Sequence, residues 1–119
     1  MRYAFLTHLA YHGASMRMRD LARLTQVSKS TIEHYRIRGL LRARRTAAGD
    51  WDYPEDAPRA ITLIHRRLTP MGFHLDAIKA ILNTYCLEEI EERLRSLTAP
   101  QFRAWVDEVN GAAVYGHDL

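Results

Sequence analysis

The chain has 119 residues, 47% of them hydrophobic and 26% charged, values of a globular protein with one modest core. No apolar run reaches the roughly eighteen residues a membrane-spanning helix needs, and residues 4–11 are too short and polar for a signal peptide. A single cysteine excludes an internal disulfide, and the net charge is only +3.

That charge is unevenly placed. Residues 16–70 carry twelve Lys/Arg against six Asp/Glu, and residues 71–119 carry four against eight. A basic first half and an acidic second half suit a nucleic-acid-binding unit followed by a partner-facing unit. Two ordinary solvated surfaces of one domain would give the same split.

Residues 1–15 form an N-terminal extension with little pattern. Tyr3, Leu6 and Ala10 have helical spacing, and His8 and His12 stand four apart without a third metal ligand nearby. The chain becomes legible from residue 17. Leu21 and Leu24, three apart, predict the buried face of a helix over residues 17–25, with Arg19 and Arg23 exposed. Ser28 stands where an N-cap is wanted, Ile32 and Tyr35 mark the buried face of a second helix over residues 28–38, and Gly39 follows it. Val27 plugs the corner. Two short helices with a tight break are a helix-turn-helix. Its second helix would present Lys29, Ser30, Glu33, His34 and Arg36 outward, where such a motif meets a DNA groove. Tyr35 is expected in the core, with its hydroxyl within reach of a phosphate.

Two short strands around Ala47-Ala48-Gly49 predict a hairpin with glycine at the turn. Arg42 and Arg44 would share one face of its first strand and Arg45 the other. A hairpin after a helix-turn-helix is a wing, and basic wings reach phosphates without reading sequence. Trp51 either stacks on the DNA backbone or packs the wing against the helices. Pro54 is expected to open the next helix, with Glu55 and Asp56 near its positive end. Ala57, Ala60, Ile61, Ile64 and Leu68 form its apolar stripe. After a break at Thr69-Pro70-Met71-Gly72, a further helix runs over residues 75–82.

Leu87, Ile90, Leu94 and Leu97 repeat at three-four-three spacing among glutamates, like a short coiled-coil seam. Thr98 and Gln101 match a capping box, and Phe102, Trp105, Val106 and Val109 line a final short helix. Either the body of the chain covers these faces or a second copy does, with Leu87, Ile90, Leu94, Leu97, Phe102 and Trp105 as the contact residues. Tyr85, Phe102, Trp105 and Tyr115 either belong to core and interface or line a small-molecule pocket. Cys86 reads as a half-buried thiol.

Taken in order, these pieces resemble the MerR family of winged helix-turn-helix transcription regulators. The similarity runs over residues 18–82 and rests on Leu21-Ala22-Arg23-Leu24-Thr25, Val27-Ser28, Thr31-Ile32, Tyr35 and Gly39-Leu40-Leu41. It continues through Arg45-Thr46, Gly49, Tyr53, Ile64 and Leu68 to Met71-Gly72-Phe73-His74-Leu75-Asp76-Ala77-Ile78. The resemblance implies a mainly α-helical fold with a small β-hairpin wing, and a bacterial, cytoplasmic dimer that distorts promoter DNA. The expected division is an extension at residues 1–15, a DNA-binding domain at 16–84 and a helical dimerisation or effector segment at 85–119.

The chain departs from the family pattern at three places, one of them the long dimer helix, which is shortened or broken near Thr98 and so does not match the family's usual coil. The recognition helix carries Glu33-His34-Tyr35 where relatives have Arg-Tyr-Tyr, and the wing carries Asp50-Trp51 where they have Tyr-Arg. Glu33 either accepts from a cytosine amino group or repels phosphate. Arg36, Arg38, Arg42 and Arg44 offset the lost charge, and Arg17 and Arg67 are further phosphate candidates. Double-stranded DNA is thus the expected partner. A second copy, RNA polymerase or another regulator, and a small-molecule effector are further candidates. No cofactor, metal or catalytic residue is expected. Two other readings remain: a protein-interaction module acting on another regulator, and an architectural or excisionase-like DNA-bending factor.

Overall fold

The computed structural model describes residues 16–116. The expectations on Tyr3, Leu6, His8, Ala10 and His12 lie outside that range. The chain divides into two compact units, the first ending at His65 and the second beginning at Arg66.

The first unit opens with α1 (Met18–Thr25) and α2 (Lys29–Ile37), the two helices of the motif. Leu21, Ile32, Tyr35 and Val27 are buried as their spacing predicts, but Leu24 is 58% exposed. The buried line of α1 runs from Leu21 to Thr25 instead, four residues on. Thr25 tolerates burial because its hydroxyl donates to the Leu21 carbonyl at 2.7 Å. Between the helices Gln26, not a glycine, takes the left-handed conformation at φ 59°, and its N–H donates to the Ala22 carbonyl.

Ser28 caps α2 by accepting from the Thr31 N–H at 3.2 Å. At the other end the Gly39 and Leu40 N–H groups donate to the Arg36 and Tyr35 carbonyls, at 3.0 and 2.8 Å. This paired closure needs a left-handed residue at Gly39, whose φ is 80°.

The wing is a two-stranded antiparallel hairpin, β1 (Arg44–Arg45) and β2 (Trp51–Asp52), with Arg44 opposite Asp52 and Arg45 opposite Trp51. Arg42 falls before the first strand rather than on its face, because pairing covers only two residues on each side. Gly49, at φ 92°, makes the turn. Past the hairpin, Tyr53 forms a separate antiparallel bridge by exchanging N–H···O bonds of 2.9 Å with Met16.

Helix α3 (Ala57–Thr62) starts three residues later than Pro54. The cause is Pro58, which lacks the N–H that a helix begun at Pro54 would send back to that residue's carbonyl. A turn closed by the Ala57 N–H on the Pro54 carbonyl, 3.0 Å, stands there instead. The apolar stripe Ala57, Ala60, Ile61, Ile64 and Leu68 is buried throughout. From Leu63 to Leu68 the helix widens into a π-helix. A wider turn brings residues five apart into line, so Leu63 and Leu68 are both buried, at 3% and 0% exposure. Helix α1 packs against both α2 and α3.

The second unit contains α4 (Leu75–Thr84), α5 (Leu87–Ser96) and α6 (Ala99–Gly116). Phe73, Ala77, Ile78, Ile81, Trp105 and Val106 are buried, and α4 packs along α6. Phe73 meets Trp105 edge to face, with ring centroids 5.0 Å apart. The capping box at the start of α6 is present: Gln101 Oε1 accepts from the Thr98 N–H at 2.8 Å, and Thr98 Oγ1 accepts from the Gln101 N–H at 3.4 Å. The final helix is not short. It runs 18 residues, with Pro100 in the first turn where no N–H is needed.

Candidate nucleic-acid interface

Helix α2 is positioned from below by its buried face. Ile32 is fully buried and Tyr35 is 4% exposed. The Tyr35 hydroxyl and His65 Nδ1 lie 3.1 Å apart, which ties the helix to the end of the first unit. The opposite face is left to solvent. Lys29, Ser30 and His34 are exposed there, within the span of one helical turn and a half.

Glu33 and Arg36 do not both point outward as their spacing suggests. Arg36 Nη2 donates to Glu33 Oε2 at 2.6 Å and Nε to Oε1 at 3.4 Å. The Arg36 side chain is only 16% exposed, against 44% for Glu33. Its guanidinium carbon sits 4.1 Å from the centroid of the Trp51 ring. Arg45 lies over the same ring at 5.0 Å, as cross-strand pairing with Trp51 requires. The bond to Glu33 holds the Arg36 pKa above its already high ordinary value. Below them Tyr53 is fully buried. Burial raises its phenol above 10.0, while the nearby Arg36 guanidinium opposes that rise.

Arg17 likewise pairs with carboxylates of its own chain, at the surface. Its guanidinium reaches Asp50 Oδ2 at 2.9 Å and Asp52 Oδ1 at 3.0 Å, linking the start of α1 to β2. The pairing of Arg17 with alternate residues 50 and 52 was legible only as an acidic alternation around Trp51. Arg38, Arg42, Arg44 and Arg45 are exposed in the same unit, and Arg67 is exposed in the second.

In the second unit Leu87, Ile90, Leu94 and Trp105 are buried within the single chain, and Leu97 and Phe102 are half-buried. Tyr85 and Trp105 line a cleft of about 670 Å³ together with Asp76, Lys79, Arg93 and Glu108. The Arg93 guanidinium stands 4.9 Å from the Tyr85 ring and 5.2 Å from the Trp105 ring. Phe102 packs on Trp105 at 6.4 Å, and the Tyr115 side chain lies outside the described residues. Cys86 is a half-buried thiol at the start of α5, where its Sγ donates to Glu88 Oε1 at 3.6 Å and its N–H to Glu89 Oε1 at 2.8 Å. Among the described residues no three His, Cys, Asp or Glu gather closely enough to hold a metal ion. Among them, too, no helix is long and apolar enough to cross a membrane.

No curated protein matches the chain. A family model does: that of the MerR HTH family regulatory protein, over residues 16–85. The match spans the helix-turn-helix, the wing and the helices through α4, more than half of the sequence. The chain therefore belongs to the MerR family of helix-turn-helix proteins, which are DNA-binding transcription regulators.

Proposed function

We propose that this regulator acts as a cytoplasmic bacterial homodimer that reads a two-fold operator and distorts the promoter DNA between its half-sites. The observation that carries the reading is the division of α2 into two faces. Ile32 and Tyr35 anchor one, and Lys29, Ser30 and His34 stand exposed on the other. In the major groove those three reach base edges, while Arg38, Arg42, Arg44 and Arg45 meet phosphates, with Arg67 as an outlying contact. Within the dimer Leu97 and Phe102 keep apolar surface for a second copy, since Leu87, Ile90, Leu94 and Trp105 are already covered. RNA polymerase is the partner that a distorted promoter serves, and the cleft between Tyr85 and Trp105 is the place for a small effector.

Fluorescence anisotropy with DNA from upstream of the gene and with a scrambled duplex, over a salt series, tests the reading. Tighter binding to the native duplex, falling steeply with salt and weakened by Lys29→Ala, is the expected result. Equal, salt-insensitive binding to both duplexes would overturn it. One observation favours a second reading, a module that docks on another regulator: Arg17 and Arg36 both face carboxylates of their own chain. Absence of DNA binding at low salt would favour that module.

A further inference from the structure

Glu33, Arg36, Trp51 and Arg45 form one continuous row from the recognition helix into the wing. The wing itself has two paired residues per strand, too few to hold its direction alone. The Met16–Tyr53 backbone bonds and Arg17 tie its base to the start of α1, and on the side facing the recognition helix the large side chain is Trp51. Arg36 sets its guanidinium carbon 4.1 Å from the centroid of that indole and donates from Nη2 to Glu33 Oε2 at 2.6 Å. With 16% of the side chain exposed, little of the guanidinium is left to face a phosphate.

We propose that Arg36 is a positioning residue that sets the angle of the wing on the recognition helix, and that Glu33 keeps it in that role rather than reading a base. The inference rests on the DNA-binding reading above. Arg45, stacked on the far end of the row, is placed by it, and so is the register of Arg44 beside it. Glu33 also withholds one cation from the DNA. A wing fixed at one angle accepts one groove geometry, so the row adds discrimination between sequences rather than affinity for all of them.

The test is a comparison of salt slopes and operator preference for the full chain and for Arg36→Gln, Glu33→Gln, the double variant and Trp51→Phe. Each phosphate contact contributes about 0.9 to the slope of log Kobs against log salt. Arg36→Gln is expected to reduce the preference for operator over scrambled duplex about tenfold, in line with a lost stacking contact, and to leave the slope unchanged. Glu33→Gln frees the Arg36 charge. It is expected to steepen the slope by about 0.9 and raise binding to the scrambled duplex, and to do neither in the Arg36→Gln background. Trp51→Phe keeps a ring for the guanidinium and retains most of the preference.

A slope reduced by about 0.9 in Arg36→Gln would overturn the proposal, because Arg36 would then touch phosphate itself. A Glu33→Gln variant that loses the operator at unchanged slope, equally with and without Arg36, would make Glu33 a base reader instead. A second readout is independent of DNA. The chain has two tryptophans, so Trp105→Phe leaves Trp51 as the sole indole emitter. In that background Arg36→Gln should open Trp51 to acrylamide quenching. Unchanged quenching refutes the row even if the DNA-binding reading stands, and increased quenching without operator preference refutes that reading alone.

Discussion

Asn110 makes the sharpest stability prediction. Its side chain, on the inner side of α6, closes the turn that precedes α4. Oδ1 accepts from the His74 N–H and Nδ2 donates to the Gly72 carbonyl, both at 2.9 Å. His74 is the N-cap of α4, and its N–H is taken by Asn110. Asn110→Ala removes both bonds. Each is a neutral bond worth about 0.5–1.5 kcal/mol net, and water reaches both groups, so the expected loss lies near the lower half of their sum, about 1–2 kcal/mol. The assay is urea unfolding followed by Trp105 emission in a Trp51→Phe background, which reports on the unit that contains the turn. The midpoint should fall with the slope m unchanged. A substitution at the exposed Asn83 serves as control. A loss below about 0.5 kcal/mol would mean that water replaces both bonds without penalty and that packing alone holds the turn.

Leu21→Ala should destabilise by about 2–5 kcal/mol, because Leu21 is fully buried, whereas Leu24→Ala should stay within about 0.5 kcal/mol; thermal or urea unfolding of the pair checks the burial line of α1. Ser28→Ala removes the cap of α2 and should cost about 1 kcal/mol by the same measurement, with weaker DNA binding as the helix frays. Tyr53 predicts a pH effect. Its phenol is raised above 10.0 by burial, so the stability it contributes is fully present below that pH. It is lost as pH rises from there toward the higher value of the folded state, because the unfolded chain ionises first. Unfolding at pH values from about 9 to 11 should show a decline that Tyr53→Phe lessens; an identical decline in both would refute the assignment.

What could be read in the sequence was set by neighbours in the chain. Ser28 caps because it stands three residues before a free N–H, and Gly39 ends α2 because only glycine takes that conformation cheaply. Thr98 and Gln101 meet across one turn, and the stripe from Ala57 to Leu68 is buried because helical spacing aligns it. The order of these local pieces was enough to identify the family and the fold, since each is fixed by residues within about four positions of one another.

Tertiary structure decided what each functional side chain is free to do. Spacing put Arg36 on the groove face, but Trp51, fifteen positions away, draws it under the wing. Arg17, a phosphate candidate in the sequence, meets Asp50 and Asp52 of the wing, more than thirty positions on. Asn110 carried no signal at all, because the backbone groups it binds lie 36 and 38 residues earlier. Periodicity states which face of a helix a residue occupies. It cannot state which distant charge or ring will meet that residue there, and that meeting determines whether a cation faces DNA or holds the protein together.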